Sequence, residues 1–204
     1  MRANMRTCLV TVASAMLLSA CVFFVRGVHD LRFVAVHPVE FGQINLQTGV
    51  PLDLTLAEDH ALGKIEVASK ADIHKIAIES QLNIWYELQI CKTGATVPAL
   101  SHVYFQGIEA NYVSMSPEVQ DLYAKALKVH EPNGSYVYEI YFEPKSDLDQ
   151  QKGSGHPRLY QPYDFTHTPL DLCLRIGGGN MGGSHFVSNT VEIPASAIAK
   201  AFKH

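Results

Sequence analysis

The chain has 204 residues, 47% hydrophobic and 18% charged, which is the composition of a folded protein and excludes a disordered one. Its 16 basic and 20 acidic residues leave a net charge of −4 with no basic cluster. That balance argues against nucleic acid as a partner and against electrostatic attraction to an anionic lipid surface.

The first element is Thr7–Val25, where Arg2 and Arg6 precede an uncharged apolar run that contains Leu18-Ser19-Ala20-Cys21. A positive flank, an apolar segment and small residues form the layout of a secretory signal. The tetrapeptide resembles the lipobox of bacterial lipoproteins. The resemblance implies removal of residues 1–20, acylation of Cys21 with palmitate among the chains, and a mature protein of 184 residues beginning at that cysteine. Loss of Arg2 and Arg6 leaves 14 bases against 20 acids, a mature charge of −6. The alternative is an uncleaved anchor, because the 19 uncharged residues from Thr7 to Val25 approach the roughly 20 that cross a bilayer as a helix. Arg2 and Arg6 stay cytoplasmic in either case, so the remainder lies beyond the membrane. Val22 stands where enteric lipoproteins retained in the inner membrane carry aspartate, which favours the periplasmic face of the outer membrane.

From Leu31 onward short runs alternate in period two, as strands do. Leu31–Val36 is the first, Val50–Leu56 the second, and Lys64–Ala68 a weaker third. Ile73–Cys91 is the strongest, with Ile76, Ile78, Leu82, Ile84, Tyr86, Leu88 and Ile90 on one parity. It exceeds an ordinary strand, which predicts two strands separated by a bend near Glu79-Ser80-Gln81. Ser101–Gln106 reads as a further strand. Ser116-Pro117-Glu118 then opens a helix over about 117–129, with a capping hydroxyl, proline at the first turn and an apolar stripe of Val119, Leu122, Ala126 and Leu127. Ser135–Phe142 is a strand, and Pro144–Pro169 is a long irregular loop. Strands Leu170–Ile176 and His185–Ile193 follow, joined by the glycine-rich connection Gly177–Gly183. A short tail helix ends at Phe202. The expected architecture is mainly β: a single β-sandwich over 31–204, with one amphipathic helix and a short C-terminal helix, behind a tether at 21–30.

Of four cysteines, Cys8 lies in the signal and Cys21 takes the lipid, which leaves Cys91 and Cys173 in a compartment that permits disulfides. Alternation places both on the face opposite their strands' apolar stripes. A bridge between them therefore predicts that the two strands are neighbours in one sheet, joined across its outer face. The alternative is a pair of buried thiols. Trp85 shares that face with Cys91, and the 117–129 helix is expected to pack over it.

Catalytic patterns are missing. Gly177–Gly183 lacks the Lys-Ser/Thr of a phosphate loop and precedes a strand instead of a helix. The ten histidines have neither HExxH nor H-x-H spacing, so no metal is expected. There is no G-x-S-x-G elbow, and both internal cysteines should be oxidised. No cofactor and no enzyme activity are expected. The partner-binding candidates are Arg158, Tyr160, Tyr163, Asp164 and Phe165 in the long loop, since aromatics beside arginine are common interface anchors. Their alternative is to fold back over a sheet edge. Asn180 and Met181, at the tip of the glycine connection, are candidates for insertion into a partner's cleft.

With its lipobox, strand pattern and glycine hairpin, the chain resembles small Gram-negative periplasmic β-sandwich lipoproteins. Some of these are immunity proteins that protect the cell from antibacterial toxins acting in the periplasm. The resemblance implies an envelope-tethered, non-enzymatic protein-binding domain, and an acidic one suits a basic toxin. Two other classes stay open: a structural or assembly lipoprotein of an envelope or secretion machine, and a sandwich that binds a small ligand or sugar.

Overall fold

Alternating side chains build two antiparallel sheets whose apolar faces meet. The structure, a computed structural model, describes residues 27–40, 61–99, 103–106, 108–109, 117, 121–122, 124–125, 134–146 and 162–203. The larger sheet contains β1 (Arg32–Glu40), β2 (Ala61–Ser69), β4 (Tyr104–Phe105), β5 (Ile108–Glu109) and β6 (Tyr136–Phe142), in the order β1-β2-β6-β4-β5. The smaller sheet is centred on β9 (Leu172–Gly179). Strand β3 (Asn83–Ile90) pairs with one edge of β9, while β10 (His185–Val187) and β11 (Val191–Ile193) pair in succession with the other. A two-stranded ribbon joins β7 (Lys145–Ser146) to β8 (Tyr163–Asp164).

Period two sorts each strand's residues. Ile65 and Val67 of β2 face inward with Tyr138, Ile140 and Phe142 of β6, against Ile84, Leu88 and Ile90 of β3 and Leu172, Leu174 and Ile176 of β9. Gly63 is paired with Phe142, whose ring occupies the space a side chain there would need. Lys64–Ala68, the weakest strand in the sequence, thus lies between β1 and β6. Its signal is faint because its outward side chains, Lys64 and Glu66, are charged.

The prediction of two strands across Ile73–Cys91 needs correction. Residues Ile73–Ser80 form helix α1, and only the second half is a strand. Asp72 caps the helix by accepting from the Lys75 amide at 2.9 Å. Gln81 closes it in the left-handed region at φ 52°, so the expected bend is present where a helix, not a strand, ends. Ile76 and Ile78 mimic alternation, but Ile73, His74 and Ala77 are the buried residues, three and four apart on one helical face. Tyr138 fixes the helix start: its hydroxyl accepts from Ile73 N at 2.8 Å and donates to Ala71 O at 2.9 Å.

Two boundaries also move. Gly177–Gly179 belong to β9 and not to a loop, because Gly178 lies under the core side chains Phe186 and Ile84. His185–Ile193 is broken into β10 and β11 at Ser188–Thr190. There the Asn189 side chain turns away and pairs with the backbone of Leu31, accepting from its N–H at 2.9 Å and donating to its C=O at 2.8 Å. The tail helix α2 (Ala195–Phe202) buries Ile198 and Phe202. In the 117–129 stretch, residues 117, 121, 122, 124 and 125 are helical and exposed. The rest of that helix, the Val50–Leu56 strand and the whole signal with Cys21 lie outside the described residues. Among the described residues no helix is long and apolar enough to cross a membrane.

Candidate functional site

Cys91 and Cys173 form a disulfide between β3 and β9, with Cα atoms 5.0 Å apart. The Cys91 amide donates to Asp171 O at 2.9 Å, so Cys91 stands opposite Asp171 and the bridge runs diagonally to the second residue along. Gln89 and Glu192 are paired with Cys173 on either side, which puts the bridge on the outer face, between sheet neighbours, as alternation requires.

Tyr163 and Phe165 of the long loop do not form a contact surface. Phe165 is fully buried and Tyr163 nearly so. Their rings stack at 4.2 Å, and Phe165 meets Phe142 of the core at 6.3 Å. The Tyr163 hydroxyl donates to Glu143 O at 3.0 Å, which ties the ribbon to the end of β6. Expecting these two as partner anchors is therefore corrected: covering the open end of the sandwich buries more apolar area than exposure would allow. Asp164 between them points outward and organises a turn. It accepts from the Thr166 amide at 3.0 Å, from the Thr166 hydroxyl and from His167 Nδ1 at 3.0 Å. Those bonds, Thr166 first, hold its carboxyl down at about 2. Arg158 and Tyr160 lie outside the described residues.

The hairpin tip is more ordered than a glycine-rich string implies. Asn180 accepts from the Ser184 amide at 3.1 Å and donates through Nδ2 to Ser80 O at 2.9 Å, at the end of α1. Gly183 occupies the left-handed region at φ 87° and donates its amide to Asn180 O at 3.1 Å. Asn180 is thus a clamp and not a free contact residue, which corrects its expected role. Met181, next to it, is wholly exposed.

The outer face of the smaller sheet carries a feature that sequence reasoning noted only in part. Trp85 of β3 is paired with Gly177 of β9, and Val187 of β10 is paired with the same glycine from the other side. Trp85 and Val187 are 37% and 38% exposed. The indole occupies the space that a Gly177 side chain would need, and the expected cover by the 117–129 helix falls mostly outside the described residues. One step along, Arg175 Nη2 donates to Glu87 in an ion pair across the ladder. Alternation identified Trp85 as outward-facing, but only the register brings the glycine and valine beside it.

The larger sheet's outer face carries a charge ladder: Lys64 Nζ lies 2.7 Å from Glu66 and 3.3 Å from Glu139, and Tyr141 donates to Glu139 at 3.1 Å. Burial alone would lower the Lys64 pKa, but the two carboxylates outweigh it and hold the ammonium protonated. Among the described residues, no three His, Cys, Asp or Glu side chains converge as metal ligands. No family model, no curated protein and no solved structure matches the chain.

Proposed function

We propose that this protein is an envelope-tethered, non-enzymatic protein-binding lipoprotein of the immunity type, which neutralises a toxin in the periplasm by inserting the β9–β10 hairpin tip into the toxin's cleft. The supporting observation is Met181: a fully exposed, adaptable apolar side chain on a turn held by four hydrogen bonds to and from Asn180. A preformed tip loses little conformational freedom on binding, which is where affinity is commonly lost. The mature charge of −6 would steer the domain towards a basic partner.

The test is capture of the effector encoded beside the gene by the full chain. Met181→Asp is expected to weaken capture by about 30-fold, the scale of an interface hot spot. Its thermal midpoint should match wild type, since the side chain is free of the fold. Undiminished capture would remove the hairpin from the interface. The tether is tested separately by labelling cells with a palmitate analogue. Label should appear on the wild-type chain and vanish in Cys21→Ser, and an unlabelled wild-type protein would rule out the lipid anchor.

A further inference from the structure

We propose that the outer face of the smaller sheet, centred on Trp85, is a binding site for a neutral saccharide. The argument begins with the row Trp85–Gly177–Val187. A Cβ on Gly177 would collide with three contiguous indole atoms, Cζ2, Cη2 and Cε2, at nearly equal distance, none beyond 2.6 Å. A ring approached edge-on would show one near atom and two clearly farther ones. One π-face therefore lies on the backbone of β9, and the opposite face is what solvent reaches. A tryptophan that stands up from a surface fills a partner's pocket. One that lies flat offers a plane instead. The negative π-face attracts the weakly positive C–H bonds on the flat side of a pyranose ring.

Polar groups flank the plane at one same-face step, about 7 Å along the strands in each direction. Towards the hairpin stands the row Asn83, Gly179 and His185. Gly183 O can only accept, so it takes the Nδ1–H of His185 across 3.1 Å, and Nε2 of the neutral ring is left as an acceptor. The Asn83 amide supplies both a donor and an acceptor. In the other direction lie Glu87 and Arg175, hydrogen-bonded to each other. Amide, imidazole, carboxylate and guanidinium are planar groups that meet the paired donor and acceptor of vicinal hydroxyls. The indole fills the space above Gly177, while Gly179, one same-face step along, leaves the strip between Asn83 and His185 without a side chain. Charge narrows the ligand class: Arg175 and Glu87 cancel, and these three rows hold no other formal charge with His185 neutral. A phosphorylated ligand would find no surplus cation there.

This inference does not depend on Met181 or on the tether. Trp85 is the single tryptophan of the chain, so its emission reports directly on the site. The full chain, kept in a detergent without a sugar headgroup, would be titrated with cellotetraose and with chitotetraose. A saturable change in emission with at least one of them is expected. Trp85→Ala, followed by calorimetry, should abolish binding, and Asn83→Ala should weaken it about tenfold, one hydrogen bond's worth. Gly177→Ala keeps the tryptophan but lifts the ring from the sheet, and should lose binding while remaining folded by circular dichroism. Met181→Asp should bind the sugar like wild type. The absence of a saturable change with either oligosaccharide would overturn the assignment, as would full binding by Gly177→Ala. Loss of toxin capture by Trp85→Ala, in a protein that binds neither sugar, would equally overturn it and reassign the plane to a protein partner.

Discussion

Replacing Cys91 and Cys173 together by alanine is expected to lower the thermal midpoint by about 10 °C without changing the β-rich circular dichroism spectrum. The bridge closes a loop whose ends are 82 residues apart. In the chain-entropy account such a closure restricts the unfolded state by about 4.5 kcal/mol. A chain of this size loses roughly 2–4 °C for each kcal/mol. The fold itself should survive, because β3 and β9 are held by a ladder running from Asn83–Gly179 to Ile90–Leu172, with apolar side chains packed beneath it. Cold, reduced protein should behave like the double variant. A wild-type midpoint indifferent to reductant would mean that the two sulfurs are not joined in solution.

Phe165→Ala is expected to cost about 3–4 kcal/mol in urea denaturation, the range for deleting a fully buried phenylalanine. Phe165 lies between Tyr163 of the ribbon and Phe142 of β6, and Phe142 in turn packs edge-on to Phe202 of α2 at 6.3 Å. This aromatic series joins the long loop, the larger sheet and the tail helix. Truncating its second member leaves a void that rings on both sides cannot easily collapse into. The opposite result, unchanged stability with loss of partner capture, would return Phe165 to the interface. The comparison with Met181→Asp is direct: one substitution should affect folding alone and the other binding alone.

Individual residues show why parts of this molecule could be read early. The sandwich was legible because inward and outward side chains alternate in Tyr136–Phe142, Asn83–Ile90 and Leu172–Ile176, and burial follows that alternation except at Tyr141, which is buried on the outer face with Leu62 and Tyr104. The placement of the disulfide was legible for the same reason, since parity puts Cys91 and Cys173 on outer faces, whereas the pairing itself was read from the two cysteines that remain for a compartment permitting disulfides. Helix α1 was not. Over eight residues, apolar side chains at 73, 76, 77 and 78 satisfy both a period of two and a period of 3.6, and only Asp72 hinted at a cap. The loop aromatics failed differently. Composition says that Tyr163 and Phe165 are good anchors, but an anchor for a partner and an anchor for the core are the same side chain. Asn180 was assigned to a partner because its own partner, Ser80 O, is 100 residues away in sequence.

The amino-acid sequence alone determined that this is a mainly β protein, which residues of each strand face the core, and that Cys91 and Cys173 share an outer face. Each of these depends on neighbours within a few residues, where backbone geometry dictates direction. Only the tertiary structure decided that β9 lies between β3 and the β10–β11 edge, that Trp85 rests on Gly177, and that Phe165 belongs to the core. Those facts depend on strand order and register, which are set by the packing of residues distant in the chain.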